Sequence, residues 1–139
     1  MINNSDIKFR AKSLDGNYWV YGDYRHPIDN VEDYKHTITS HKDECDDKGF
    51  QYQIDPKTLG VFTGLYDSEG NEIWSGDILY MDCFGYGGGY VVVEWNKEMG
   101  CWAVRISGNL GDKPLGAWLR EDKLKVVGNI YDNPEIKTE

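Results

Sequence analysis

Gly76-Asp77-Ile78-Leu79-Tyr80-Met81-Asp82-Cys83-Phe84-Gly85-Tyr86-Gly87-Gly88-Gly89-Tyr90-Val91-Val92-Val93-Glu94-Trp95-Asn96-Lys97-Glu98-Met99-Gly100-Cys101-Trp102-Ala103-Val104-Arg105-Ile106 is the stretch that decides the fold. A Gly-Asp turn opens it, and Ile78–Phe84 reads as a strand. The glycine run 85–89 connects that strand to a second, Tyr90–Trp95. A polar loop, Asn96–Gly100, leads to a third, Cys101–Ile106. A strand alternates its side chains between two faces, so Val91, Val93 and Trp95 share one face. In the third strand Trp102, Val104 and Ile106 do the same, while Arg105 points the other way. Three strands joined by short loops form a β-meander, the central element of small SH3-like barrels.

Composition extends this reading to the whole chain. Its 139 residues include only three Ala and eight Leu, against nine Val, ten Ile and nineteen aromatics. Residues suited to a pleated surface therefore outnumber strong helix formers. The expected fold is mainly β: antiparallel hairpins forming a small SH3-like barrel or a strongly bent sheet, with α+β as the alternative. Working outward, Asp15-Gly16 separates the runs Ile7–Ala11 and Tyr18–Tyr24, and Gly70-Asn71 separates Gly60–Tyr66 from Glu72–Trp74. Both are hairpin signals. Asn133, Pro134 and Glu135 start one short C-terminal helical turn. Residues 109–122 read as a loop with one short helical turn. Asp29–Gly49 holds seven acids and three bases and reads as an exposed, loosely ordered acidic hairpin or insertion.

The two hairpins also resemble each other. Gly16-Asn17-Tyr18-Trp19-Val20-Tyr21-Gly22-Asp23-Tyr24 aligns with Gly70-Asn71-Glu72-Ile73-Trp74-Ser75-Gly76-Asp77-Ile78 at four identical positions. Each copy reads as a turn, a short strand, a Gly-Asp corner and a second strand. A duplicated hairpin unit is the expectation, within one domain over residues 1–139 or as subdomains 1–56 and 57–139.

These residues carry a family resemblance. Ile7-Lys8-Phe9-Arg10-Ala11 is similar to the opening of the YopX family of phage and prophage proteins. So are Ile54-Asp55-Pro56-Lys57-Thr58-Leu59-Gly60-Val61-Phe62-Thr63-Gly64-Leu65, then Asp67, Gly70, Ile73 and Gly76-Asp77-Ile78. Val92-Val93-Glu94-Trp95-Asn96 and the terminal Val127-Gly128-Asn129-Ile130-Tyr131-Asp132-Asn133-Pro134-Glu135 complete the pattern. The departures are Lys12, where an aromatic is common, and the acidic insertion before Phe50. The resemblance implies a phage or prophage setting and transfers no catalytic residue. Its recurring residues are structural: Gly16, Gly22, Asp23, Gly64, Gly70, Gly76, Asp77, Trp95, Gly128, Asn129, Tyr131 and Pro134.

Chemistry-bearing residues are few. His36, His41 and Cys45 are weak metal-ligand candidates whose spacing suits zinc, but no second ligand pair accompanies them. The glycine run 85–89 precedes a strand and has no nearby Lys, so it is a hairpin tip rather than a phosphate loop. Paired acids (Asp43 with Glu44, Asp46 with Asp47) read as solvated loop charges. Three cysteines, Cys45, Cys83 and Cys101, without a C-x-x-C pattern read as reduced thiols. No cofactor is expected.

The formal net charge of −9 argues against gripping a phosphate backbone, so nucleic acid is an unlikely partner in spite of the aromatics. No apolar run is long enough to span a bilayer, and the polar Met1–Arg10 does not read as a signal peptide, which points to the cytoplasm. The expected function is a non-catalytic protein-interaction module acting in a bacterial host, with self-association as a separate expectation. The alternative is a small enzyme or ligand-binding protein acting on a nucleotide or phage metabolite, with Asp77, Glu94 or His26, His36 and His41 as acid–base groups. A minor alternative is an acidic DNA mimic.

Overall fold

Local turn chemistry sets the first hairpin. Leu14–Asn17 connects β1 (Phe9–Lys12) to β2 (Trp19–Arg25), with Gly16 at φ +118° and Asn17 at φ +58°. Both residue types tolerate a positive φ that a β-branched side chain would resist. The structure, a computed structural model, describes residues 3, 6–29, 35–40, 50–82, 88–106, 111–121 and 124–138. Among these, eleven strands lie in two antiparallel sheets without closing a barrel, so the chain is mainly β as expected. No helix among the described residues is long and apolar enough to cross a membrane. The chain divides into two units, Met1–Phe62 and Thr63–Glu139.

In the first unit the strand order is β4-β3-β2-β1-β5, with β3 at Thr37–Ser40, β4 at Gln51–Gln53 and β5 starting at Gly60. Gly22 pairs with Phe9 of β1 and Ser40 of β3. The first half of β2 therefore bonds to one neighbour and the second half to the other. Its φ is +153°, and a Cβ there would collide with the Thr39 carbonyl. The sheet curls until Ser13 bridges Ile54, just beyond β4. Ala11, Val20, Ile38 and Ile54 fill the concave face, joined by Phe9, Tyr24, Tyr52 and Leu59. After Ile54, Asp55 caps a 3-10 turn at Pro56–Thr58, and the Thr58 hydroxyl accepts the Lys12 N–H at 2.8 Å. β3 pairs with β4 and corrects the reading of Asp29–Gly49 as exposed and loosely ordered: Thr37 and Ile38 are buried, because Ile38 supplies the core beneath β2 and β4. Residues 30–34 and 41–49 lie outside the described ones.

In the second unit, β5 (Gly60–Tyr66) continues beside β6 (Glu72–Trp74). The Asp67 N–H to Asn71 carbonyl bond closes a three-residue loop, with Gly70 at φ +84° taking the left-handed position. A five-stranded sheet follows in the order β10-β9-β8-β7-β11. Its meander is β7 (Asp77–Asp82), β8 (Gly88–Asn96) and β9 (Cys101–Ile106), where the sequence places it. The register Val93↔Val104 and Trp95↔Trp102 stacks the expected apolar stripe. Val91, Val93 and Val104 are buried with Ile73, Leu79, Met81, Leu115 and Leu124. Trp95, at the end of the stripe, is 51% exposed.

The helical turn expected within residues 109–122 is present, but the described residues before it are a strand rather than a loop. Gly111–Pro114 forms β10 on the edge of β9, and Leu115–Glu121 forms the helix α1. Pro114 is tolerated because an edge strand can spare one N–H, and α1 is held by burying Leu115 in the core. β11 (Lys125–Asn129) pairs with β7 and carries a bulge at Val127. At the C-terminus, the anticipated turn is closed by a single bond from the Ile136 N–H to the Asn133 carbonyl.

Candidate functional site

Curling of the first sheet opens a cleft of about 500 Å³ beside β4. Ser13, Leu14, Asp15 and Tyr18 of the first hairpin form one side, and Gln51, Tyr52 and Gln53 form the other. The hairpin is held against β4 by the Leu14 N–H, which donates to the Gln53 carbonyl at 3.0 Å. Beyond that bond the two segments part. The rings of Tyr18 and Tyr52 meet edge to face at 6.2 Å, and Phe50 lies 6.4 Å from Tyr52. Leu14 is 61% exposed, Tyr18 47% and Phe50 62%. Exposed apolar residues scattered singly are ordinary, whereas a cluster around a concavity is the usual mark of a contact surface. Among the described residues, Asp15 is the one charged group in the lining.

A second cluster lies across β2 and β3. The Tyr24 hydroxyl and His36 Nδ1 are 2.6 Å apart, with their rings stacked, and His26 meets His36 edge to face at 5.5 Å. Burial pushes the Tyr24 phenol above its ordinary value. His26 Nδ1 donates to the Pro27 carbonyl at 2.7 Å, which leaves Nε2 as the acceptor of the neutral ring. His36 is thus drawn into an aromatic contact with Tyr24 and His26. The other metal-ligand candidates, His41 and Cys45, lie outside the described residues, as do Cys83 and residues 85–87 of the glycine run. Among the described residues no three His, Cys, Asp or Glu groups are placed to hold a metal ion. Cys101 is a half-buried free thiol.

Asp77 and Glu94 lie on opposite faces of the second sheet. The register Ile78↔Val92 sets Asp77 on the face of Val91 and Val93, and an exposed Glu94 on the opposite face. Asp77 is 2% exposed, and its Oδ2 accepts the Trp74 N–H at 2.7 Å, closing the corner at Gly76 (φ +82°). Asp23, its counterpart in the aligned hairpin, is exposed within the continuous strand β2. The two Gly-Asp pairs therefore differ: one turns the chain, while the other lets a strand change partners without ending.

The remaining family-pattern residues hold backbone. Gly64 sits at φ +80° inside β5, where the Thr63 hydroxyl accepts the Leu65 N–H. At Gly128 a Cβ would collide with the Asn133 side chain. Asn129 Oδ1 accepts the N–H groups of Tyr131 and Asp132, its Nδ2 donates to Asp132, and Asn133 Oδ1 accepts the Asn129 N–H. This network fixes the segment running past Tyr131 into Pro134.

Asp67 is a residue that sequence reasoning left among the pattern residues. It is 7% exposed, and its carboxylate accepts four hydrogen bonds. Glu69 N–H and Asn71 N–H bind Oδ1 at 2.9 and 2.8 Å; Asn71 Nδ2 and Val126 N–H bind Oδ2 at 3.1 and 3.0 Å. Burial alone would raise its pKa, but the four donors outweigh that and hold the carboxyl below its usual range. Asp at the first and Gly at the fourth position of a turn was a legible signal for the local bonds. The bond to Val126, 59 positions away, had none.

The fold and the cleft define a mainly β protein with two sheet units and a partly aromatic surface concavity. The YopX protein family matches residues 8–136, and the chain belongs to it. The crystal structure of protein EF1440 from Enterococcus faecalis is similar at a TM-score of 0.57 and 22% identity, covering 93% of this chain and 96% of that one. At that identity the likeness is one of fold. No curated protein matches the chain.

Proposed function

We propose that this chain is a non-catalytic protein-interaction module of phage or prophage setting, acting in the cytoplasm of a bacterial host. The observation that carries the proposal is the cleft on the first unit, where Leu14 and Tyr18 stand exposed in the lining and Phe50 is exposed beside Tyr52. Aromatic anchors seated in or beside a pocket supply much of the energy of many protein contacts. The acidic residues offered for the enzyme alternative have other work or other positions: Asp77 closes a turn and Glu94 lies on the opposite face.

Photo-crosslinking tests the proposal. Benzoylphenylalanine at position 50, expressed in bacterial cytoplasm, is expected to trap one protein, and Tyr18→Ala is expected to abolish the adduct. No adduct, or one indifferent to Tyr18, overturns the reading, as does an adduct formed only with a second copy of the chain. A charge decoy would release its partner as salt rises, whereas an anchored contact would persist. Thermal stabilisation by a nucleotide or metal would return the enzyme alternative to the front.

A further inference from the structure

We infer that the cleft recognises an extended, basic segment of the partner by adding it as a strand to the main chain at Gln51; this rests on the interaction-module reading above. The alternation of β4 supplies the first argument. The Ser40 N–H donates to the Phe50 carbonyl at 2.7 Å and the Ile54 N–H to the His36 carbonyl at 3.1 Å, with Ile38 opposite Tyr52. Residues 50, 52 and 54 therefore bond toward β3, and Gln51 and Gln53 turn their main-chain groups to the other side. At Gln53 that side is already used, by the Leu14 N–H. One pleat back, where the hairpin has parted from β4, the Gln51 N–H and carbonyl face the cleft. An extended peptide laid there continues the pairing that Leu14 begins, which is the geometry of strand addition.

The lining selects the occupant's chemistry. Tyr18 and Tyr52 give an apolar slot for one side chain, Gln51 and Gln53 offer amides, and Asp15 is the charge among the described lining residues. Among the described residues that line the cleft there is no cation, and the chain as a whole carries −9. An acidic segment is repelled, and so is a second copy of this chain; a Lys- or Arg-bearing segment is attracted. Side chains of an extended peptide alternate, so one parity enters the slot and the other reaches solvent and Asp15.

A displayed library of random twelve-residue segments, selected against the immobilised full chain, tests this inference. The expected winners place Lys or Arg around an alternating apolar residue. Synthetic copies methylated on alternate main-chain nitrogens should lose at least tenfold in affinity for one parity and less than twofold for the other. Tyr18→Ala should weaken them at least tenfold with its melting temperature unchanged. Selection of no segment, selection of acidic ones, or indifference to methylation overturns strand addition. If crosslinking from position 50 still traps a Tyr18-dependent partner, the interaction reading stands and only the mode falls; if that also fails, both fall.

Discussion

Replacing Asp67 tests whether one carboxylate ties β11 to the β5–β6 turn. The side chain is nearly fully buried and receives three backbone N–H groups and one amide. Asp67→Ala strips the acceptor from all of them. A buried donor left unsatisfied costs about 1–3 kcal/mol; two of the N–H groups lie in the turn where water can replace the carboxylate, so we expect a loss of about 3–4 kcal/mol. For a unit of this size that is roughly 12–32 °C in melting temperature. Asp67→Asn is no rescue: its single oxygen can serve one pair of donors, while its NH₂ confronts the other pair, for about 2–3 kcal/mol. The pH dependence follows from the depressed pKa. An unfolded Asp titrates near 3.9 and the folded one lower, so the stabilisation is complete above about pH 5 and is lost as pH falls through the folded value. The assay is urea unfolding followed by tryptophan fluorescence, to which Trp74, Trp95, Trp102 and Trp118 contribute from the second unit. The stability gap between the wild-type chain and Asp67→Asn should be wide at pH 7 and close toward pH 3. A gap under about 0.5 kcal/mol at pH 7, or one that does not narrow in acid, refutes the reasoning.

Three further outcomes are expected. Gly22→Ala combines an unfavourable φ with a collision at the Thr39 carbonyl, and should cost about 3 kcal/mol or more in thermal melts. Thr58→Val removes the acceptor for the Lys12 N–H and should cost about 1–3 kcal/mol by chemical denaturation, while Thr58→Ser, which keeps the hydroxyl, should stay much closer to wild type. Leu79→Ala, at 0% exposure in the second core, should cost about 2–5 kcal/mol in the same assay; a value below 1 would mean that the core is not packed there as described.

What the sequence determined by itself was local or periodic. The left-handed positions at Gly16 and Gly70 announce two hairpins, because few residues tolerate that backbone. The alternation through Val91, Val93, Trp102 and Val104 announces the meander and its buried face, because a pleat repeats every two residues. The family motifs are made of these same turns and stripes. Tertiary structure alone decided the rest. Nothing in Thr37–Ser40, set among acidic residues, distinguishes a central strand from an exposed loop until Ile38 finds its core. Gly111–Pro114 is a strand only because β9 offers it an edge. Asp67 meets Val126, His26 meets His36, and the first hairpin meets β4 to open the cleft. Those meetings depend on which groups burial brings together across long stretches of chain, and no spacing along the sequence encodes them.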